Sequence, residues 1–224
     1  DNVARWRARI EVGNGHNDTD GPPTLLIYDS DYREQRNPSL YVHLRLEGEE
    51  SGLAQDRLIR IADDSLLQDN HSGAANSTAT AGGYVYVTYP RNRPDPDKPG
   101  TPAVLVVVDR TRGEKVAEEV VGQGGVAAGV DNHNVPGICM GRNAALQVLL
   151  PGHHEDLLFR RGKASGPVIR WQPVERLGEL AVSGGGYTYG SLDCSRDGRT
   201  LVTTRWAGSQ YRFQLVLLQA DAAG

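Results

Sequence analysis

The chain has 224 residues, 38% hydrophobic and 23% charged, enough to bury a core and unlike the composition of a disordered chain. The formal net charge is -4 and the Lys and Arg residues are scattered, without the basic stripe of a nucleic-acid binder. No apolar run approaches the ~20 residues of a membrane-spanning helix, so neither nucleic acid nor membrane is an expected partner.

Taken in chain order, the opening Asp1-Asn2-Val3-Ala4-Arg5-Trp6 lacks both an initiating Met and the basic-then-apolar pattern of a signal peptide. His16, Asn17, Asp18 and Asp20 gather possible metal ligands, but their spacing matches no zinc or calcium pattern, and a turn is expected there. Short runs rich in branched and aromatic residues follow, bounded by Gly, Pro, Asp or Asn, and each predicts a strand. They are Leu25–Tyr28, Leu40–Leu46, Tyr84–Tyr89, Val104–Val108, one near Gly137, Ala145–Leu150, Leu157–Arg160, Leu201–Arg205 and Phe213–Leu218. The acidic run Glu47–Glu50 reads as a solvated loop, and the Pro-rich stretch Arg91–Gly100 as a surface loop inside one structural unit. Asp109-Arg110-Thr111-Arg112-Gly113 and Ser195-Arg196-Asp197-Gly198-Arg199-Thr200 read as turns in which Asp bonds the local backbone and Gly takes a positive φ. Cys139 and Cys194 have no metal-ligand spacing around them, and two buried free thiols are expected in preference to a disulfide.

Many short strands without helical periodicity predict an all-β protein: a sandwich, a barrel or a propeller. An internal repeat favours the last. Asp69-Asn70-His71-Ser72 and Asp131-Asn132-His133-Asn134 are nearly the same tetrapeptide, 62 residues apart, and each is followed by a set of strands. The pattern predicts β-propeller blades of four antiparallel strands over 1–224 as one domain. The length accommodates about four such units, so an incomplete propeller or a partial chain is expected.

The densest collection of reactive side chains lies between residues 131 and 206. His133 stands before a strand, His153 and His154 in a loop after one, Tyr187 and Tyr189 after Gly184-Gly185-Gly186, and Arg205 at a strand end sixteen residues beyond Tyr189. The glycines are expected to let a polymer approach the backbone closely. The order Asp-Asn-His-Asn-x-Pro, Gly-His, Phe-x-Arg, Tyr-Thr-Tyr and a strand ending in Arg resembles the BNR-4 repeat family, which includes the propeller-fold ulvan lyases. The resemblance covers about 65–206. It implies a site of His133, His153, Tyr189 and Arg205, with His154 as the alternative second histidine. Asn134, Arg160 and Tyr187 are then expected to bind substrate. Gly190-Ser191 departs from the family's usual Pro-Asn after the tyrosine, which bears on substrate identity.

What the resemblance implies is a polysaccharide lyase that cleaves a uronate-containing, ulvan-like polymer by β-elimination, secreted or periplasmic, with no cofactor and no metal. Removing the C5 proton of a uronate and protonating the oxygen that leaves C4 calls for a base, an acid and a cation on the carboxylate. Arg205 suits the carboxylate, Tyr189 the acid or both proton transfers, His133 the base, and His153 the orientation of the sugar. Two other readings compete: a sialidase-like glycoside hydrolase, which would need Arg160, Arg161 and Arg205 to converge, and a non-catalytic glycan-binding propeller.

Overall fold

The computed structural model describes residues 7–10, 25–29, 39–46, 55–66, 77–92, 97–98, 100–124, 135–177, 186–195, 199–207 and 211–219. The described residues form an all-β protein of antiparallel sheets. The first sheet is a meander of β1 (Arg7–Ile10), β2 (Leu25–Asp29), β3 (Ser39–Leu46) and β4 (Gln55–Ala62). The second is a meander of β5 (Thr78–Ala81), β6 (Tyr84–Pro90), β7 (Thr101–Asp109) and β8 (Glu114–Gly124).

The third sheet begins with β9 (Gly137–Met140) and β10 (Ala145–Leu149), and the chain then leaves it for β11 (His153–Glu155). It returns with β12 (Leu158–Ser165), β13 (Val168–Trp171) and the short β14 (Glu175–Arg176). The fourth sheet has the order β11, β15 (Gly186–Cys194), β16 (Arg199–Ala207), β17 (Tyr211–Gln219). Thus β11 is lent from the middle of the third sheet to the edge of the fourth. His153 and His154 lie in that strand and not in the loop that the sequence pattern predicts. Two residues, Gly-His, carry no β-periodicity of their own, and pairing with β15 creates the strand.

Alternation along the strands explains how the sheets stack. On β7, Val104, Val106 and Val108 join Leu40, Val42 and Leu44 of β3 in one core, while Ala103, Leu105 and Val107 join Ile138, Leu146 and Val148 of the third sheet in another. The second sheet is therefore buried on both faces, which is why β7 reads as an unbroken apolar run. The third sheet repeats the device: Leu146 and Val148 face the second sheet, and Cys139, Leu149 and Phe159 face Tyr187, Leu192, Cys194 and Val202 of the fourth. Each fully buried Val or Leu contributes about 1.5–3 kcal/mol of transfer free energy, against which the entropy of ordering the chain must be set.

Polar ties stitch neighbouring sheets. Between the first and second, Tyr89 donates to Asp64 Oδ1 at 3.1 Å and Lys115 donates to the Ile61 carbonyl at 3.1 Å. Burial, reinforced by the Asp64 carboxylate, pushes the Tyr89 phenol well above its ordinary range. Between the second and third, Tyr86 donates to the Gly166 carbonyl at 2.9 Å and the Trp171 indole to Glu119 at 2.9 Å.

Cys139 and Cys194 form a disulfide across the third and fourth sheets, with their Cα atoms 5.6 Å apart, which corrects the expectation of two free thiols. They stand on facing strands of stacked sheets, a proximity that a sequence separation of 55 does not disclose. Beside the bond, Thr200 donates to Gln147 Oε1 at 2.7 Å. Gln147 is the cross-strand partner of Cys139, and Thr200 that of Cys194, so a covalent and a polar tie sit next to each other.

The turn at Asp109 forms as the sequence predicts. Asp109 Oδ1 accepts from the backbone N–H groups of Thr111 and Arg112 at 2.9 and 3.0 Å, and Gly113 takes φ 65°. In the β15–β16 hairpin, Ser195 Oγ accepts from the Arg199 N–H at 3.0 Å; Arg196, Asp197 and Gly198 lie outside the described residues. The His16–Asp20 segment, Glu47–Glu50 and both copies of the Asp-Asn-His tetrapeptide also lie outside them. In sequence, those two copies fall in the segments that lead into β5 and β9, the first strands of the second and third sheets.

Candidate functional site

Three of the four residues expected to form a site, His153, Tyr189 and Arg205, lie on three neighbouring strands at one end of the fourth sheet. His153 on β11 is the cross-strand partner of Thr188 on β15, and Thr188 is that of Arg205 on β16. Directly opposed residues share a face, and two strand spacings of ~4.8 Å put the backbones of His153 and Arg205 about 10 Å apart. Thr188, between them, is buried.

A bulge lies on either side of Thr188. On β11, His153 and Glu155 oppose Thr188 and Tyr187, so His154 is the extra residue. On β15, Thr188 and Ser191 oppose Arg205 and Thr203, so the Tyr189-Gly190 pair carries the extra one. His154 and Tyr189 both hold left-handed backbone, with φ 61° and 55°, a conformation that costs a bulky residue energy. The Thr204 hydroxyl donates to the Thr188 carbonyl at 3.1 Å, satisfying a buried acceptor at the edge of the irregular stretch. The bulge turns the Tyr189 ring beneath Arg205, whose Cζ lies 4.3 Å from the ring centroid. The two histidine rings touch edge to face, with centroids 4.4 Å apart.

Glycines make this geometry sterically admissible. A Cβ on Gly186 would overlap the carbonyl group of His154 and the Glu155 nitrogen. Gly186 therefore serves the approach of β11, which replaces the expectation that this glycine opens the backbone to a polymer; Gly184 and Gly185 lie outside the described residues. A Cβ on Gly190 would overlap Leu149, which accounts for a glycine directly after Tyr189.

The remaining expected residues are placed as follows. His133 and Asn134 lie outside the described residues. Tyr187 is 1% exposed and packs in the core between the third and fourth sheets, so its ring is not offered to a ligand. Burial, with Asp156 nearby, raises its phenol above the ordinary range. Arg160 is the cross-strand partner of Val148 and faces the second sheet, where it donates to the Val121 carbonyl. Arg161 points to the opposite face of β12 and holds Glu175 with two bonds of 3.0 and 2.9 Å. The three arginines that a sialidase-type site would need thus do not converge. Among the described residues no three His, Cys, Asp or Glu side chains gather closely enough to hold a metal ion.

Sequence reasoning had no access to Thr188, the pivot of the register, or to the double bulge. The one local sign of it is Gly190 inside an otherwise strand-like run. Compared with family models and with curated proteins, the chain matches none.

Proposed function

We propose that this protein is a propeller-type polysaccharide lyase that cleaves a uronate-containing polymer by β-elimination at the Tyr189–Arg205 end of the fourth sheet. The observation that carries the reading is the Arg205 guanidinium over the Tyr189 ring at 4.3 Å, on a strained bulge. Bulky residues forced into left-handed backbone concentrate at functional sites, and bulges commonly re-aim side chains there. Four antiparallel sheets stacked in chain order, the first two of them simple meanders, are the kind of arrangement that successive propeller blades adopt, which supports the fold half of the proposal.

In this scheme stacking engages the face of the guanidinium, while carboxylate recognition uses its in-plane N–H fork, so Arg205 can serve both. With the uronate carboxylate neutralised, the C5 proton passes to a base and the C5 electron pair forms the C4–C5 double bond. The C4–O bond breaks, and the leaving oxygen takes a proton from Tyr189. His153 orients the ring from the same face. His133 is the proposed base, and the strand it leads into, β9, packs on β15 with Gly137 against Gly190. The Cys139–Cys194 disulfide supports a secreted or periplasmic location, because such bonds persist in oxidising compartments.

The test is incubation with ulvan and other uronate polymers, read as the ultraviolet absorbance of unsaturated uronate. A rise in the parent chain that is lost in Tyr189→Phe supports the lyase. Polymer binding with no rise on any uronate substrate overturns it in favour of a glycan-binding propeller.

A further inference from the structure

A second place in the molecule is built to receive a ligand, on the other side of the third sheet. A cavity of about 850 Å³ opens between β8 and β12, lined by Arg160, Arg91, Lys98 and Asp64 among others, with Val120 and Val174 on its wall. Its charges are uneven. Arg91 is neutralised twice, by Asp64 at 2.8 Å and Glu118 at 2.6 Å. Arg160 is held only by neutral groups: it donates to the Val121 carbonyl and, at 2.9 Å, to the Gln172 carbonyl, and its Cζ lies 5.2 Å from the Trp171 ring centroid. No carboxylate pairs with Arg160 among the described residues. Its positive charge is therefore fixed in place, at the wall of a cavity, without a counter-ion among the described residues.

Such an arrangement favours an incoming oxyanion. The guanidinium's rotamer is already locked by two carbonyls and a ring, so little side-chain entropy remains to be lost on binding. Part of the fork is occupied by the two carbonyls, which leaves Nη2 for the ligand. Val120 and Val174 are each 44% exposed, an apolar lip that would cover one face of a ring. We infer that this cavity is a separate binding site for a ring-borne oxyanion, a carboxylate or a sulfate ester, read by Arg160 and covered by Val120 and Val174. That the ring is a sugar rests on the proposed function; the anion preference does not.

The test is titration of the full chain with glucuronate, glucose 6-sulfate and glucose, followed at the backbone amides of Gly122 and Gln123. Saturable shifts with either acid, at least ~10-fold weaker with neutral glucose, are expected, and the two acids tell a carboxylate from a sulfate ester. Arg160→Gln should abolish them. Val174→Glu, an exposed change that leaves Arg160 in place but offers it a carboxylate, should weaken binding by ~10-fold or more. Tyr189→Phe should leave them unchanged, which separates this site from the lyase reading. Glucose binding as tightly as the acids, shifts confined to the Tyr189–Arg205 end, or binding indifferent to Val174→Glu would each overturn the assignment.

Discussion

Arg205 lies over the ring of Tyr189, its Cζ 4.3 Å from the centroid, while the Tyr189 backbone sits at φ 55°. The stack and the strained backbone hold one another: the bulge delivers the ring, and the guanidinium, supported by strand pairing on both sides, keeps it there. Tyr189→Phe preserves the ring, the stack and the backbone, and removes only the hydroxyl. If Tyr189 delivers the proton, elimination on a uronate polymer falls by about 10²–10⁴-fold, the usual range for a general acid, while polymer affinity changes little. Rate assays and binding isotherms on the same variant check this, and an active Tyr189→Phe removes the residue from the mechanism.

The Cys139–Cys194 bond closes a loop across a sequence separation of 55 and joins two sheets that also share side-chain packing and the Thr200–Gln147 bond. Replacing both cysteines with serine is expected to cost about 2–4 kcal/mol in urea unfolding. Reductant should shift the parent chain toward the variant and leave the variant unchanged. Equal stability of the two in oxidising buffer would contradict the bond.

Gly186 is the point where β11 crosses closest to β15, and its missing Cβ is the space that the His154 carbonyl group occupies. Gly186→Ala must push the two strands apart, at an expected cost of about 3 kcal/mol or more. Because His153 rides on β11, the variant should also lose polymer affinity under conditions where it remains folded. Unfolding curves and binding measured together distinguish this from a change confined to stability.

Asp109 accepts two backbone hydrogen bonds in the β7–β8 turn, and the Arg112 N–H foremost, with the Arg112 side chain and the Thr111 N–H, holds its carboxyl below the ordinary 3.8. A carboxyl lowered on folding adds stability above its unfolded value and loses that contribution as the pH falls through its folded one. Asp109→Asn should therefore be less stable than the parent at neutral pH. The gap should close as the pH falls below ~4, in the range where the parent's carboxyl takes up its proton. A gap that is constant with pH would assign the loss to turn geometry alone.

Many of the strands are legible in the sequence because burial on one face or on both selects branched and aromatic residues in short runs. β7 is an unbroken apolar run since both of its faces are covered, and β3, β6, β10, β16 and β17 announce themselves by short runs of branched and aromatic residues. β8, with Glu-Lys-Val-Ala-Glu-Glu, and β4, with Gln-Asp-Arg-Leu-Ile-Arg, were hidden, because sheet-edge strands carry charge on their open sides. The Asp109 turn was legible because an Asp and a Gly at a hairpin do local work that needs no distant partner.

The site divides along the same line. The sequence by itself determined which side chains could bear the chemistry, His153, Tyr189 and Arg205 among them, and the order in which they occur. Only the tertiary structure decided that β11 leaves its own sheet to pair with β15, that Thr188 links His153 to Arg205, and that Tyr187 is buried while Tyr189 meets a guanidinium. It decided equally that Arg160 turns away from that end and that the two cysteines meet. The physical reason is that strand register and sheet stacking arise from contacts between residues far apart in the chain. A side chain's face therefore depends on bulges of a single residue, and each such bulge reverses what alternation alone would assign.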